Sequence, residues 1–173
     1  MKKIIQQYVL AAALLLVSCQ MQAQFVIGKD TLGGKVAYID ASGQHGLIAA
    51  PGNQHTAIKW FNGTNVLTGT GTAIETGNSN TEKIVAAQGA GSYAAKLCDD
   101  LVLNGYSDWY LPSKDELNQL YINRVAIGGF ASNDYWSSSE NGNIYAWRQG
   151  FSFGTQSYGT KIGTCYVRAV RAF

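Results

Sequence analysis

Alternating apolar and polar positions predict a β-hairpin in the segment GGKVAYIDASGQHGLIAA, residues 33–50. Val36 and Tyr38 alternate with Ala37 and Ile39, as in strands that bury one face. The ASGQHG segment supplies turn residues, and LIAA returns as the second strand. We therefore expect two antiparallel strands here.

The next segment, residues 51–80, is rich in Gly, Thr and Asn, with Trp60 and Phe61 as aromatic anchors, and we expect a long loop region. The two histidines of the chain, His45 and His55, fall in the predicted turn and in this loop. No third ligand accompanies them at a metal-binding spacing, so no zinc site is expected.

Two short helices are predicted after the loop. Ser79 and Glu82 have capping-box spacing, which indicates a helix that begins there and continues through Ala87. A second helix is predicted over residues 92–103, where apolar side chains recur every four positions: Tyr93, Leu97 and Leu101. The dipeptide Asn104-Gly105 would end it.

The segment GYSDWYLPSKDELNQLY predicts a third helix with a clear beginning. Ser113 and Glu116 can each bond the other's backbone N–H, and the acidic residues of the first turn favour the positive end of the helix. Leu117, Leu120 and Tyr121 would then form one apolar stripe. The carboxylates here are explained by helix initiation, with no second catalytic group spaced to pair with them.

The segment NDYWSSSENGNIYAW raises the question of a serine nucleophile. A nucleophilic serine requires a base within hydrogen-bond reach and a strained turn to present it, and the histidines lie far upstream. We interpret Tyr135 and Trp136 as the end of a strand, Ser137 to Glu140 as polar residues that bond backbone groups, and Asn141-Gly142 as a turn.

Alternation after that turn assigns two faces to the next strand. The face predicted to point inward carries Tyr145, Trp147, Gln149, Phe151 and Phe153. The face predicted to point outward carries Ala146, Arg148, Gly150 and Ser152.

A glycine-rich segment, GTQSYGTKIGT, follows this strand. Its Tyr, Ser and Gly content is typical of adaptable recognition surfaces, although an ordinary exposed loop of an exported protein has a similar composition. The candidate ligand-binding residues are Arg148, Ser152, Thr155, Ser157, Tyr158 and Thr160.

The first two dozen residues have the pattern of an export signal. Lys2 and Lys3 precede an apolar run from Tyr8 to Val17, which is shorter than the roughly 20 residues that a membrane-spanning helix needs. LVSC follows, and this is similar to the lipobox of bacterial lipoproteins, in which the cysteine, here Cys19, is acylated. Ordinary cleavage after Ala23 is the alternative, with a secreted or periplasmic product.

Charge argues against nucleic-acid binding, and the cysteine content allows one disulfide. The chain has 13 Lys and Arg against 11 Asp and Glu, and removal of the signal leaves eleven of each. A neutral chain lacks the basic stripe that nucleic acids require. With Cys19 assigned to lipidation, Cys98 and Cys165 can form one disulfide in an oxidising compartment, or remain two buried thiols.

Five ordered motifs resemble one family across residues 25–173: the hairpin segment, GYSDWYLPSKDELNQLY, YWSSSE, AWRQGFSFG and the ending VRAVRAF. They are similar to the domain-of-unknown-function family 1566 (DUF1566), also described as the C-terminal domain of the Legionella collagen-like adhesin and overlapping the Fibrobacter succinogenes paralogous domain. The resemblance implies an α+β, C-type-lectin-like fold with two main helices, a small twisted antiparallel sheet and a long loop region.

Two departures from the family pattern limit what the resemblance implies. Relatives often place a cysteine at the position of Ala169, and Cys165 lies four residues earlier, which puts the tentative Cys98–Cys165 disulfide in doubt. The Glu-Pro-Asn and Trp-Asn-Asp signatures of calcium-dependent lectins are absent from the sequence. We therefore expect no metal and no cofactor.

The predicted organisation is a lipoprotein signal peptide at residues 1–18, a tether at 19–30 and one domain at 31–173. The expected function is a non-enzymatic binding module on the bacterial outer membrane or cell surface, held by a lipid anchor, that recognises an extracellular glycan or protein. A structural subunit of an adhesin or pilus-like assembly is the alternative. Diversified C-terminal positions, as in variable display proteins, are a further implication of the resemblance.

Overall fold

The structure is a computed structural model that describes residues 25–173. The predicted signal peptide, the lipidation site Cys19 and the first part of the predicted tether lie outside the described residues. The described chain is α+β, with two sheets and four helices. The strands are β1 (Asp30–Thr31), β2 (Gly34–Ile39), β3 (Gly46–Ala49), β4 (His55–Lys59), β5 (Asp134–Glu140), β6 (Tyr145–Gly150), β7 (Gln156–Thr160), β8 (Thr164–Val167) and β9 (Val170–Ala172).

The first sheet has the order β1-β2-β3-β9 and is antiparallel throughout. It contains the predicted hairpin, which is confirmed as β2 and β3, with a bulge between Val36 and Tyr38. Strand β9 lies beside β3, so the sheet joins the two ends of the described chain. The rings of Phe25 and Phe173 pack there with centroids 3.9 Å apart.

The second sheet has the order β4-β8-β5-β6-β7 and is larger than the sequence predicted. Strands β5 and β8 run parallel, with Tyr135 opposite Tyr166, so the sheet is mixed. Strand β4 falls inside the predicted loop at residues 51–80. It was missed because Ile58 is its one buried residue, which leaves almost no apolar alternation to detect.

The helices are α1 (Gly77–Gln88), α2 (Ala94–Asp99), α3 (Lys114–Ile122) and α4 (Arg124–Ile127). The predicted Ser79–Glu82 capping box is wrong: the N-cap of α1 is Thr76, three residues before Ser79, and the Ser79 hydroxyl donates to the Thr76 carbonyl. Helix α2 is shorter than the predicted 92–103. The chain leaves it to form a tight turn in which Asn104 and Gly105 both have positive φ angles.

The predicted capping box of α3 is confirmed. The Glu116 N–H donates to the Ser113 hydroxyl (3.3 Å), and the Ser113 N–H donates to Glu116 Oε2 (2.8 Å). The other oxygen of Glu116 accepts the Glu75 N–H at 2.9 Å. Burial raises the pKa of Glu116, whereas these N–H donors oppose that shift. The buried carboxylate therefore serves the backbone of two segments.

Two apolar clusters form the core. The larger cluster packs α1 and α2 against the second sheet around Trp60 and Trp136, both nearly inaccessible to solvent. The smaller cluster packs α3 against both sheets around Tyr135 and Phe151, whose ring centroids are 4.4 Å apart. Since α3 covers one face of the second sheet and the larger cluster covers the other, that sheet has little free surface in its middle.

Residues 60–76, which we call the bridging loop, connect β4 to α1 without regular secondary structure. Buried side chains satisfy its backbone. Four N–H groups of the loop donate to side-chain oxygens: that of Asn62 to Gln88 Oε1 (3.0 Å), that of Thr68 to Glu140 Oε2 (2.8 Å), that of Gly71 to Asn80 Oδ1 (2.8 Å) and that of Glu75 to Glu116 Oε1 (2.9 Å). Loop carbonyls are bonded in the same way, since Asn80 and Ser139 both donate to the Gly71 carbonyl.

A buried ion pair joins this loop to the second sheet. The Lys161 ammonium lies 2.5 Å from Glu140 Oε1, and both side chains are almost fully buried. Lys161 also donates to the Val66 carbonyl at 3.1 Å and lies 4.5 Å from the centroid of the Trp60 ring. Glu140 Oε2 accepts the N–H and hydroxyl of Thr68. Each charge therefore has hydrogen-bond partners as well as its counter-ion, as burial requires.

We predict that Lys161→Met lowers the free energy of unfolding by about 3–5 kcal/mol, because it leaves the Glu140 carboxylate buried without a cation. Urea unfolding followed by circular dichroism measures this. The double variant Glu140→Gln, Lys161→Met should recover part of the loss, since it removes both charges.

The matched control is Lys96→Met, which removes an ammonium that pairs with two exposed carboxylates, Asp99 at the end of α2 and Asp100 directly after it. Its unfolding midpoint should stay close to that of the wild type. An equally small change for Lys161→Met would contradict the structural importance of the buried pair.

Candidate ligand-binding surface

The predicted site residues lie on β6, on β7 and on the turn between them. The register places Arg148 opposite Ser157 and Trp147 opposite Tyr158. Because successive strand residues point to opposite faces, Arg148 and Ser157 share one face of the sheet, and Tyr158 and Thr160 share the other. The predicted surface is therefore divided between two faces.

The predicted inward and outward faces of β6 need correction. Ala146, on the predicted outward face, is fully buried, whereas Tyr145 is exposed on the predicted inward face. Phe153 is 91% exposed because the strand ends at Gly150 and the alternation stops there. Both faces of the sheet are covered by other elements, so alternation along one strand does not separate core from surface.

Arg148 is half-buried. Its guanidinium Nη1 lies 3.0 Å from Asp134 Oδ2, and its Nε donates to the Ser157 hydroxyl at 3.3 Å. In the β5–β6 register, Arg148 is the cross-strand partner of the core residue Trp136, so the two side chains share one face of the sheet. The side chain is thus partly engaged in structure, and its ion pair sits at the edge of a pocket to which Asp134 belongs.

That pocket, which we call the polar pocket, has a volume of about 320 Å³. It is lined by Thr56, Ser132, Asn133, Asp134, Ser152, Thr164, Cys165 and Tyr166. Of the predicted residues, it contains Ser152, whose hydroxyl donates to the Ser132 carbonyl at 2.9 Å. Among the described residues, the side chains of Thr56, Asn133 and Thr164 make no hydrogen bond, which leaves their donors and acceptors available to a ligand.

An aromatic patch, formed by Tyr145, Trp147 and Tyr158, lies on the other face of the sheet. Tyr158 is 53% exposed, and its ring packs edge-on against Tyr145 and Trp147, with centroids 5.5 and 5.8 Å away. Lys114 of α3 lies 5.1 Å from the Trp147 centroid. Sequence reasoning found Tyr158 but missed its neighbours, because it assigned them to an inward face; the cross-strand register was the information required.

Two other predicted residues, Thr155 and Thr160, are exposed. The Thr155 carbonyl accepts the Gly150 N–H at 2.9 Å, and this bond closes the turn after β6. Thr160 ends β7 opposite Tyr145 of the aromatic patch. These residues border the patch on the strand and turn that carry it.

The serines of the YWSSSE segment are fully buried within β5, which continues through Glu140 beyond the predicted strand end at Trp136. The hydroxyls of Ser137 and Ser139 bond backbone groups, as predicted, whereas that of Ser138 bonds a side chain. Ser137 donates to the Trp147 carbonyl, and Ser139 donates to the Gly71 carbonyl while accepting the Lys114 N–H. Ser138 accepts from the side chain of Asn80 at 3.2 Å.

Cys98 and Cys165 are buried free thiols, which corrects the tentative disulfide. Cys98 belongs to α2, whereas Cys165 lies on β8 opposite Ile58. The two thiols are therefore on different elements of the core. Burial raises the pKa of both thiols, to about 11 for Cys165. Over residues 25–173, no cluster of three or more His, Cys, Asp or Glu residues could hold a metal ion.

A family model described as the Lcl C-terminal domain matches residues 52–171. Among solved structures, the chain is similar to a fimbrial protein from Bacteroides ovatus, with a TM-score of 0.53 and 17% identity over 87% of this chain. The match covers 45% of that protein's chain, so the present chain spans less than half of it. No curated protein matches.

Within the described part, no helix has the length and apolar character to cross a membrane.

Proposed function

This chain belongs to the Lcl C-terminal domain family, and on that premise we propose that it is an exported, non-enzymatic binding module of the bacterial cell surface. The ligand is an extracellular glycan or protein, and the lipid-modified Cys19 anchors the domain to the outer membrane. The family's adhesin description and the fimbrial neighbour support a surface role. The motifs quoted above support a C-type-lectin-like relationship.

The polar pocket is the observation that carries this proposal. It is concave and combines hydroxyl, carboxamide and carboxylate groups, and several of them have no partner within residues 25–173. Such groups can exchange hydrogen bonds with water for bonds to sugar hydroxyls or peptide groups. Arg148 holds the Asp134 carboxylate in place at the pocket, which favours a preorganised acceptor.

The aromatic patch adds a second contact area. Tyrosine and tryptophan supply large area with few rotatable bonds, and their rings can pack against the C–H faces of a sugar or against peptide side chains. Because the sheet separates the patch from Arg148 and Ser157, a ligand need not touch both areas, and variants can test each area separately.

We predict that Asn133→Ala abolishes capture of the ligands that the wild-type domain binds on a glycan and protein array, with its melting temperature unchanged. Asn133 contributes an exposed, unbonded carboxamide to the polar pocket, so its loss affects contact rather than folding. Asn143→Ala, in the exposed turn between β5 and β6, is the matched control and should bind like the wild type.

Tyr158→Ala tests the aromatic patch in the same assay, with the exposed Ile162→Ala as its control. Full capture by both Asn133→Ala and Tyr158→Ala would exclude this surface as the binding site. Loss of capture together with a large drop in melting temperature would show that the side chain acts through stability.

A structural subunit of a surface assembly is the second candidate, and strand β7 favours it. Lys161 N–H donates to the Ile144 carbonyl and Gly150 N–H to the Thr155 carbonyl at the two ends of the β6–β7 pair. In an antiparallel ladder, every second residue pair is hydrogen-bonded, so these two bonds fix which residues of β7 bond β6. Gln156 and Tyr158 belong to the pairs that are not hydrogen-bonded, and their backbone groups therefore point away from β6. They form an uncharged sheet edge open to another strand.

The opposite edge, β4, has a bulge between His55 and Ile58, which disrupts strand addition. If β7 pairs with a second copy, analytical ultracentrifugation should show oligomers that grow with concentration. Tyr158→Pro removes an outward N–H and should give monomers, whereas Tyr158→Thr keeps that N–H and should still associate. A wild-type protein that stays monomeric at millimolar concentration contradicts the assembly candidate.

A further inference from the structure

A second concave site lies at the first sheet and shares no residue with the polar pocket. This cleft has a volume of about 290 Å³ and opens between the β2–β3 hairpin, the end of the bridging loop and the segment 108–110. Its lining residues are Tyr38, Asp40, His45, Gly46, Leu47, Ile74, Glu75, Asn78, Asp108, Tyr110, Ala172 and Phe173. We call it the acidic cleft.

The walls of the acidic cleft are mainly apolar and aromatic. Leu47 and Tyr110 are almost fully buried and form its base, so the base is held rigidly by the core. Tyr38, Tyr110 and Phe173 offer aromatic surface, and Ile74 adds an aliphatic side chain. An apolar stem could therefore lie in the cleft with its hydrocarbon surface removed from water.

The charged groups of the cleft are unbalanced. Three of the lining residues are carboxylates, and none is Lys or Arg. Asp108 is neutralised by Arg171, whose Nε and Nη2 each lie 2.7 Å from one carboxylate oxygen. Asp40 uses Oδ1 to hold its own turn through Ser42, which leaves Oδ2 without a hydrogen bond among the described residues.

Glu75 is the other uncompensated carboxylate. Its side chain makes no hydrogen bond or ion pair within the described part of the chain, while its backbone N–H is bound by the buried Glu116. The left-handed backbone conformation of Glu75, φ 71°, is therefore held by a buried partner. Asp40 and Glu75 together leave about two negative charges beside an aromatic cleft without a matching cation.

We propose that the acidic cleft binds a lysine side chain of an extracellular polypeptide. The tetramethylene stem lies against Leu47 and Tyr110, and the ammonium meets the carboxylates of Asp40 and Glu75 near the aromatic rings. A long amphipathic cation buries its stem while its charged end stays at the rim, and aromatic faces attract the same charge. Anionic ligands are disfavoured because neither Lys nor Arg is among the lining residues and the nearby Arg171 is already paired with Asp108.

The proposal is independent of the polar pocket, so either site can fail without the other. The test titrates the purified protein with Nα-acetyl-L-lysine N-methylamide, whose single charge is the side-chain ammonium, and follows the aromatic resonances of Tyr38 and Tyr110 by NMR. A small ligand of this size should bind with a dissociation constant of about 1 mM. The uncharged analogue Nα-acetyl-L-norleucine N-methylamide should bind at least about tenfold more weakly.

Glu75→Gln should weaken lysine-probe binding about threefold or more, and added salt should weaken binding to the wild type. Glu82→Gln is the matched control: it makes the same charge change on α1, outside the lining of the cleft, and glutamine keeps the oxygen that accepts from the side chain of the lining residue Asn78. This variant should bind like the wild type. Both variants should keep the wild-type melting temperature, since neither carboxylate is buried.

Three results would overturn the proposal. The first is no shift of the Tyr38 or Tyr110 resonances by the lysine probe at tens of millimolar. The second is equal affinity for the lysine and norleucine probes, which would make the cleft apolar without selectivity for a cation. The third is an equal effect of Glu75→Gln and Glu82→Gln, which would assign any binding to net charge alone.

Discussion

The fold depends on hydrogen bonds between buried polar side chains and the backbone of the bridging loop. That loop crosses the domain without a ladder of its own, and unbonded backbone groups in the interior would cost free energy comparable to a lost hydrogen bond each. Gln88, Asn80, Glu116 and Glu140 accept its N–H groups. The Glu140–Lys161 ion pair bonds the loop backbone from both of its side chains, and it connects the loop, β5 and the turn after β7 in the interior.

This constraint also explains which polar residues are free for binding. The Ser137 and Ser139 hydroxyls of β5 and the capping carboxylate of α3 are engaged with backbone groups, so they are unsuited to contact a ligand. The side chains without such partners lie elsewhere, in the polar pocket, on the aromatic patch and at the rim of the acidic cleft. The interior polar groups build a rigid frame, and the exposed ones remain available on its surface.

Local sequence patterns predicted the features that local interactions determine. The hairpin and the capping box at Ser113 and Glu116 each depend on residues close in sequence. The backbone role predicted for the YWSSSE hydroxyls holds for Ser137 and Ser139, but not for Ser138, which bonds the side chain of Asn80. Ser79 and Glu82 show the limit of such patterns, because their spacing is correct but α1 begins at Gly77. Gly77 packs so closely against Glu116 that a Cβ there would clash, a tertiary contact that no local pattern shows.

The remaining features depend on residues distant in sequence. Glu140 and Lys161 lie in different elements, and nothing local indicates that they pair. The two faces of β6 could not be assigned because α3 covers one and the core covers the other, so burial depends on the whole assembly. The acidic cleft was missed for the same reason, since its walls come from four separate segments.

Amide hydrogen exchange measured residue by residue by NMR tests the central claim most directly. If buried side chains satisfy the bridging loop, the N–H groups of Asn62, Thr68, Gly71 and Glu75 should exchange slowly, like those of the neighbouring strands, although the loop has no regular structure. Gly63 and Asn65, whose N–H groups have no acceptor among the described residues, should exchange quickly. Equally fast exchange at all six positions would contradict the account.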